Sequence, residues 1–419
     1  MNGAEALIRT LAAGGVETVF ANPGSSEMYL VDALVREPGL NCVLCLHENV
    51  VTGAADGYGR MADKPAATLL HLGPGLANGL SNIHNSSRAH APMINIVGDH
   101  ATYHRQYPAP LTTDIRRIAE PFSHAVDSIE TIGDVGPAAA RAVTAALAPP
   151  GRIVTLLAPA DMTWLEGAEP SGLPPESVPA RVPDSAIEAA AREIRSGDPV
   201  LLLLAARALR EAPLAKAAAI AAAFPNIQIL APNSNGRIAR GQGRYPLEKL
   251  PYPVEQAVPR LEGFASAILV QAPDPVAFFA YPGTPSKLLP EECRRMTLAG
   301  LEQDAPDALE RLAEALGVSA QRTDFARPLP PAPPESQPLT PDNIALVIAA
   351  CLPEDAVVVD ESVSVGRGIF AATMDAPAHD WLHVTGGAIG NGLPMAVGAA
   401  VACPGRRVIA VEGDGSALY

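Results

Sequence analysis

Short apolar runs alternate with alanine-rich, helix-compatible stretches along nearly the whole chain. That alternation restricts the fold to parallel sheet wound by helices. The early runs are TVFAN (18–22), CVLCLHE (42–48), AATLLHL (66–72), MINIVGD (93–99) and RIVTLLA (152–158), with helical segments at 49–62 and 134–147 between them. Two proline-rich breaks, 166–186 and 326–343, suit extended linkers because proline cannot serve a helix interior or a central strand. They leave a first segment 1–165, a middle segment 187–325 and a third segment 344–419. The middle one carries PVLLLLAA (199–206), NIQILAP (226–232) and SAILVQAP (266–273) as strands. The third carries AVVVDE (356–361), WLHVTG (381–386) and RRVIAVEGD (406–414). The expected fold class is α/β, with three doubly wound parallel-sheet domains. The last domain is expected to be incomplete, since three strands leave an unpaired edge and little buried surface.

Length and charge narrow the partners. A chain of 419 residues can bury two or three cores. With 30 basic against 45 acidic residues the net charge is -15, which argues against nucleic acid and anionic membrane. An anionic small ligand then needs a local site, such as a helix N-terminus or a metal. No apolar stretch approaches the roughly 18–20 residues that span a bilayer. The opening MNGAEALIRTLAAGGVETVF, with Glu5 and the helical spacing of Leu7, Leu11 and Val16, reads as a helix feeding a strand rather than a signal peptide. Five cysteines suit a reducing, cytoplasmic location. Cys42 and Cys45 have C-x-x-C spacing, but inside a strand-like run, where they pack as small hydrophobes.

Several segments carry groups capable of chemistry. Glu48 stands where a strand ends and a helix begins, the ligand-facing side of an open parallel sheet. Two readings apply: an acid kept protonated by apolar walls, or a helix-start acid favoured by the macrodipole. NPGSSE (22–27) is a turn in which Ser25 or Ser26 caps the next helix or offers a hydroxyl to a ligand, with capping the better bet. In LLHLGPGLANG, His71 is either a satisfied core histidine or a catalytic one, and Gly73, Gly75 and Gly79 permit a tight turn and close backbone approach. His100 and His104 are spaced four apart, yet no helix pattern surrounds them, so a polar loop is expected rather than a metal site. The closing VIAVEGDGS puts Asp414 at the end of a buried strand, between glycines whose amides can approach a phosphate. A carboxylate in that position suits Mg²⁺.

NPGSSE, HENVVTGAADGYGR, GPGLANGLSN, TGGAIGNGLPMAVGAA and VIAVEGDGS occur in an order and at separations that resemble the thiamine-diphosphate-dependent enzymes, specifically the acetolactate synthase and benzoylformate decarboxylase group. The resemblance runs along essentially the whole chain. It implies a pyrimidine-binding domain (1–165), a middle domain (187–325) and a diphosphate-binding domain (344–419). It implies that Glu48 hydrogen-bonds the cofactor's aminopyrimidine, that Ile389 wedges the bent cofactor, and that Gly387 offers a carbonyl to the exocyclic amine. Asp414 matches the first magnesium ligand, with Gly413, Gly415 and Ser416 at the diphosphate. The asparagine pair that completes the family's metal shell does not follow here.

Ser25 and His71 match substrate-side positions of the decarboxylase branch. That branch's second histidine has no counterpart, and Tyr281 in AFFAYPGTPS is the nearest candidate for its slot. The implied activity is decarboxylation of a 2-oxo acid to a cofactor-bound enamine, followed by protonation to an aldehyde or by acetolactate-type carboligation. An alternative of another class is an inactive chain that binds a related subunit. A homodimer or homotetramer is implied, with the site at a subunit interface. FAD is not expected, because PVLLLLAARALREAP lacks the glycine-rich turn a dinucleotide needs.

Overall fold

In strand β1 (Thr18–Asn22), Val19 and Ala21 enter one core and Phe20 another, so both faces of the sheet they belong to are covered. The computed structural model describes residues 1–175, 177–318, 325, 327–330, 332 and 337–419. It divides into two compact units, Met1–Val178 with Val384–Tyr419, and Pro179–His383. The proline-rich stretch 326–343 lies inside the second unit, and its residues 326, 331 and 333–336 fall outside the described residues.

The first unit is built on β1, β2 (Asn41–Leu44), β3 (Ala66–Leu70), β4 (Met93–Asp99), β5 (Ala125–Ser128) and β6 (Ile153–Pro159), all parallel in the order β2-β1-β3-β4-β6-β5. Helices α1 (Gly3–Ala13), α2 (Met28–Arg36) and α6 (Val135–Leu147) supply the core that takes in Val19, Leu69 and Ile96. Helices α3 (Glu48–Ala62), α4 (Leu72–Ala89) and α5 (Ile115–Ala119) supply the core around Phe20, Leu70 and Val97. The sheet is therefore doubly wound. Its order reverses between β1 and β3, and in such sheets the crevice beyond the carboxyl ends of those two strands is where ligands bind.

β5 carries only the weakly apolar AVDS and is not evident in the sequence. β2 ends at Leu44, so Cys45–His47 is not strand, and Cys42 is exposed while Cys45 is buried. Both thiols are free, and burial pushes Cys45 up to about 11.

In the second unit β7 (Val200–Leu204), β8 (Ile227–Ala231), β10 (Glu248–Lys249), β11 (Ser266–Val270) and β12 (Arg294–Ala299) form a parallel sheet ordered β10-β8-β7-β11-β12. A separate ladder pairs β13 (Ala356–Glu361) with β14 (His379–His383) in parallel. The short β9 (Ile238–Arg240) lies antiparallel to β14, where only parallel strands were expected. Proline ends no helix at 341. It occupies the first turn of Pro341–Cys351, where its missing N–H costs nothing, and Thr340 caps that helix. The chain closes with the Gly392–Ala402 helix and β15 (Val408–Glu412). Among the described residues no helix is long and apolar enough to cross a membrane.

Candidate functional site

The corner after β1 is held by its own polar groups. Asn22 donates to the Cys45 carbonyl at 2.8 Å, and Ser25–Glu27 forms one 3-10 turn. The sequence suggested a serine cap. The structure corrects this: Glu27 Oε2 accepts the Gly24 N–H at 2.7 Å, and Ser25 is exposed. A carboxylate three residues on reaches back to that amide better than a short hydroxyl does.

Glu27 is 0 % exposed. The same Oε2 faces His71 Nδ1 at 2.8 Å, and Oε1 has no hydrogen-bond partner among the described residues. Burial raises the Glu27 pKa, and the adjacent His71 and the Gly24 amide oppose that rise. His71 sits one residue past β3, next to β1, so the pairing is a direct product of strand order. Two glycines make room for it. A Cβ at position 24 would lie 2.2 Å from His71 Nδ1, and one at Gly98, in β4, would lie 1.6 Å from Glu27 Oε1. Glu27 was not singled out from sequence; its spacing from Gly24 was the available signal.

Glu48 opens α3, with His47 Nδ1 capping through the Asn49 N–H at 3.1 Å. The Glu48 side chain is buried, and Oε2 accepts from Asn78 Nδ2 at 3.0 Å. Its Oε1 stands against Gly75, where a Cβ would come within 3.1 Å. The glycines of GPGLANG do not make the expected turn. Gly73, Gly75 and Gly79 all lie within α4, and a Cβ at Gly79 would meet Thr52 of α3 at 2.8 Å. Gly75 and Gly79 thin one helix so that Glu48 and its helix can approach, while Gly73 makes room for Thr113. The His100 and His104 rings are 5.2 Å apart in the loop after β4. Among the described residues no group of three His, Cys, Asp or Glu side chains could hold a metal.

The loop 385–391 is fastened to α3 and α4 of the same chain. Asn85 Oδ1 accepts the N–H groups of Gly386 and Ala388 at 3.1 and 3.2 Å, and its Nδ2 donates to the Ala388 carbonyl at 2.8 Å. Asn82 Nδ2 donates to the carbonyls of Asn49 and Gly390 at 2.9 and 3.4 Å. Below them the buried Arg60 pairs bidentately with Asp56, whose Oδ2 also accepts from Asn391 at 2.9 Å. The Gly392–Ala402 helix then packs directly on α3: a Cβ at Gly57 would lie 1.9 Å from the Met395 carbonyl, and one at Gly398 1.8 Å from the Ala54 carbonyl.

This brings the loop bearing Gly387 and Ile389 onto the start of the Glu48 helix, since the Cβ position of Gly390 is 3.5 Å from Asn49 Nδ2. Gly387 adopts φ 77° and, like Ile389, is exposed. Asp414 differs from expectation. β15 is half-buried along its length, and Asp414 lies beyond its end, exposed, with no hydrogen-bond or ion-pair partner among the described residues. Gly413 accepts the Ala417 N–H at 3.0 Å, Gly415 is open, and Ser416 is buried. Tyr281 belongs to the other unit, exposed in a run of aromatics whose next ring, Phe279, is 6.4 Å away.

Residues 1–126 match the family described as thiamine pyrophosphate enzyme, N-terminal TPP binding domain, and residues 368–419 match its C-terminal TPP binding domain. The Mycobacterium tuberculosis protein IlvX, provisionally named an acetolactate synthase large subunit, is 47% identical over 100% of this chain and 80% of its own length. The chain belongs to the thiamine pyrophosphate enzyme family. Benzoylformate decarboxylase of Pseudomonas aeruginosa is 29% identical over 97% of the chain and 79% of its own length. The solved thiamine diphosphate-dependent 4-hydroxybenzoylformate decarboxylase of Rhodococcus jostii RHA1 superposes with TM-score 0.85 at 25% identity, covering 100% of this chain and 82% of that one. The chain is thus a thiamine-diphosphate-dependent enzyme related to both acetolactate synthases and benzoylformate decarboxylases.

Proposed function

We propose that this enzyme decarboxylates a 2-oxo acid with thiamine diphosphate and Mg²⁺, releasing an aldehyde or joining the fragment to a second 2-oxo acid. The observation that carries the reading is the pair of acid–base groups, buried Glu48 and half-buried His71, above the switch point of a doubly wound sheet. When bound, thiamine diphosphate supplies the electron sink that lets CO₂ leave.

The residues fit that group. Glu48 keeps one carboxylate oxygen engaged with Asn78 and the other turned to Gly75, so it can hold a proton shared with a heterocyclic nitrogen. Gly387 and Ile389 remain exposed on a loop that is fixed from below, suiting a carbonyl and an apolar side chain offered to a flat ring. Asp414, exposed beside an open glycine, would hold the Mg²⁺ that offsets the charge of the diphosphate. Ser25 would bind the substrate carboxylate, and His71 would hold or deliver the proton that decides between aldehyde and carboligated product. A homodimer or homotetramer is part of the proposal, supported by the family, and light scattering tests it.

A CO₂-release screen over pyruvate, benzoylformate and branched 2-oxo acids, with product analysis, tests the reaction. No release from any of them, under conditions where thiamine diphosphate raises the melting temperature, discards it. A second reading, a chain that binds a related subunit without turnover, rests on Asp414 standing alone among the side chains assigned to the cation. Absence of any melting shift with thiamine diphosphate and Mg²⁺ selects it.

A further inference from the structure

Glu27 has no part in the roles assigned above, yet its surroundings are built around it. Its Oε2 receives the Gly24 N–H and meets His71 Nδ1, its Oε1 is buried with no partner among the described residues, and the side chain is wholly removed from water. Any side chain at position 24 or 98 would invade this space, its Cβ lying only 2.2 Å from His71 Nδ1 or 1.6 Å from Glu27 Oε1.

An ionised carboxylate only accepts hydrogen bonds, so Nδ1 beside it must carry the hydrogen. Nε2 then bears the lone pair of the neutral ring and is the nitrogen free to take up or give a proton. We propose that Glu27 is the positioning residue of His71: it selects the Nδ1–H tautomer, fixes the ring, and supplies the countercharge when Nε2 is protonated. This rests on the reading of His71 as the proton-handling group. The pairing also accounts for an acid in so dry a place, because a buried carboxylate persists only with a hydrogen-bonded partner. Among the described residues, His71 is the titratable side chain that acts on it.

The test uses the full chain, labelled with ¹⁵N at histidine, with H71A assigning the resonance and Glu27→Gln and Glu27→Leu as variants. Wild type should show His71 protonated at Nδ1 and bare at Nε2. Glu27→Gln, whose amide oxygen still accepts, should keep that tautomer and lose about 10-fold in kcat/KM. Glu27→Leu should shift His71 toward the Nε2–H form and lose about 10²-fold, a typical general acid–base contribution. A bare Nδ1 in wild type, or a Glu27→Leu spectrum identical to wild type, overturns the proposal. H71A turning over at the wild-type rate would instead overturn the reading of His71 in catalysis, while the spectra still decide what Glu27 does to the ring.

Discussion

Two corners of this chain read alike, each a glycine-flanked turn with an acid after a strand, yet they are built differently. At Gly24–Glu27 the acid is fully buried, twice engaged through one oxygen, and its neighbouring glycines are obligatory. At Gly413–Gly415 the acid is exposed and a Cβ at the second glycine would meet no described atom. The first corner is covered by β3 and β4 on neighbouring paths of a continuous sheet. The second lies past the end of the half-buried β15. Order around an acid comes from the elements that cover it, not from the motif that contains it. On the proposed reading the enclosed corner is arranged for proton transfer, whereas the open one presents a carboxylate and amides to whatever binds there.

The largest expected effect lies on the enclosed side. Glu48→Gln should lower kcat by about 10²-fold or more, within the range of a general acid–base contribution, while the cofactor-free protein melts as wild type. Wild-type turnover would remove Glu48 from the chemistry. On the open side, Asp414→Asn should weaken Mg²⁺-dependent thiamine diphosphate binding about 10- to 100-fold, a usual cost of losing a metal-site partner, and leave cofactor-free stability unchanged. A fall in cofactor-free stability would show that Asp414 has a structural partner after all.

Stability separates the two kinds of glycine. Gly57→Ala forces a methyl against the Met395 carbonyl, an overpacking that should cost about 1–3 kcal/mol by urea unfolding. Asn85→Ala strips hydrogen bonds from the loop at Gly386 and Ala388 and should cost a similar amount, about 1–3 kcal/mol. Gly415→Ala should be the mildest, within about ±0.5 kcal/mol, since φ there is -69° and the space is open. If Gly415→Ala and Gly57→Ala cost the same, the distinction between glycines held in close contact and glycines in open space is wrong.

Much of the fold is legible in the residues. TVFAN and MINIVGD are strands with the bounds expected, because continuous apolar runs of β-branched residues have no other place than a sheet covered on both faces. Glu48 at a helix start was equally visible. The glycines of GPGLANG were not, since a glycine that relieves a turn and one that lets two helices touch have the same local signature. Glu27 was hidden for a related reason: its partners are His71 and Gly98, far along the chain.

The sequence by itself determined the α/β class and the family, because periodicity and motif order are written in the residues themselves. Tertiary structure alone decided that Glu27 is dry and joined to His71, that α3 takes the Gly392–Ala402 helix against its glycine face, and that Asp414 faces water. Burial depends on which strands become neighbours, and that is settled by the packing of whole elements rather than by the residues on either side.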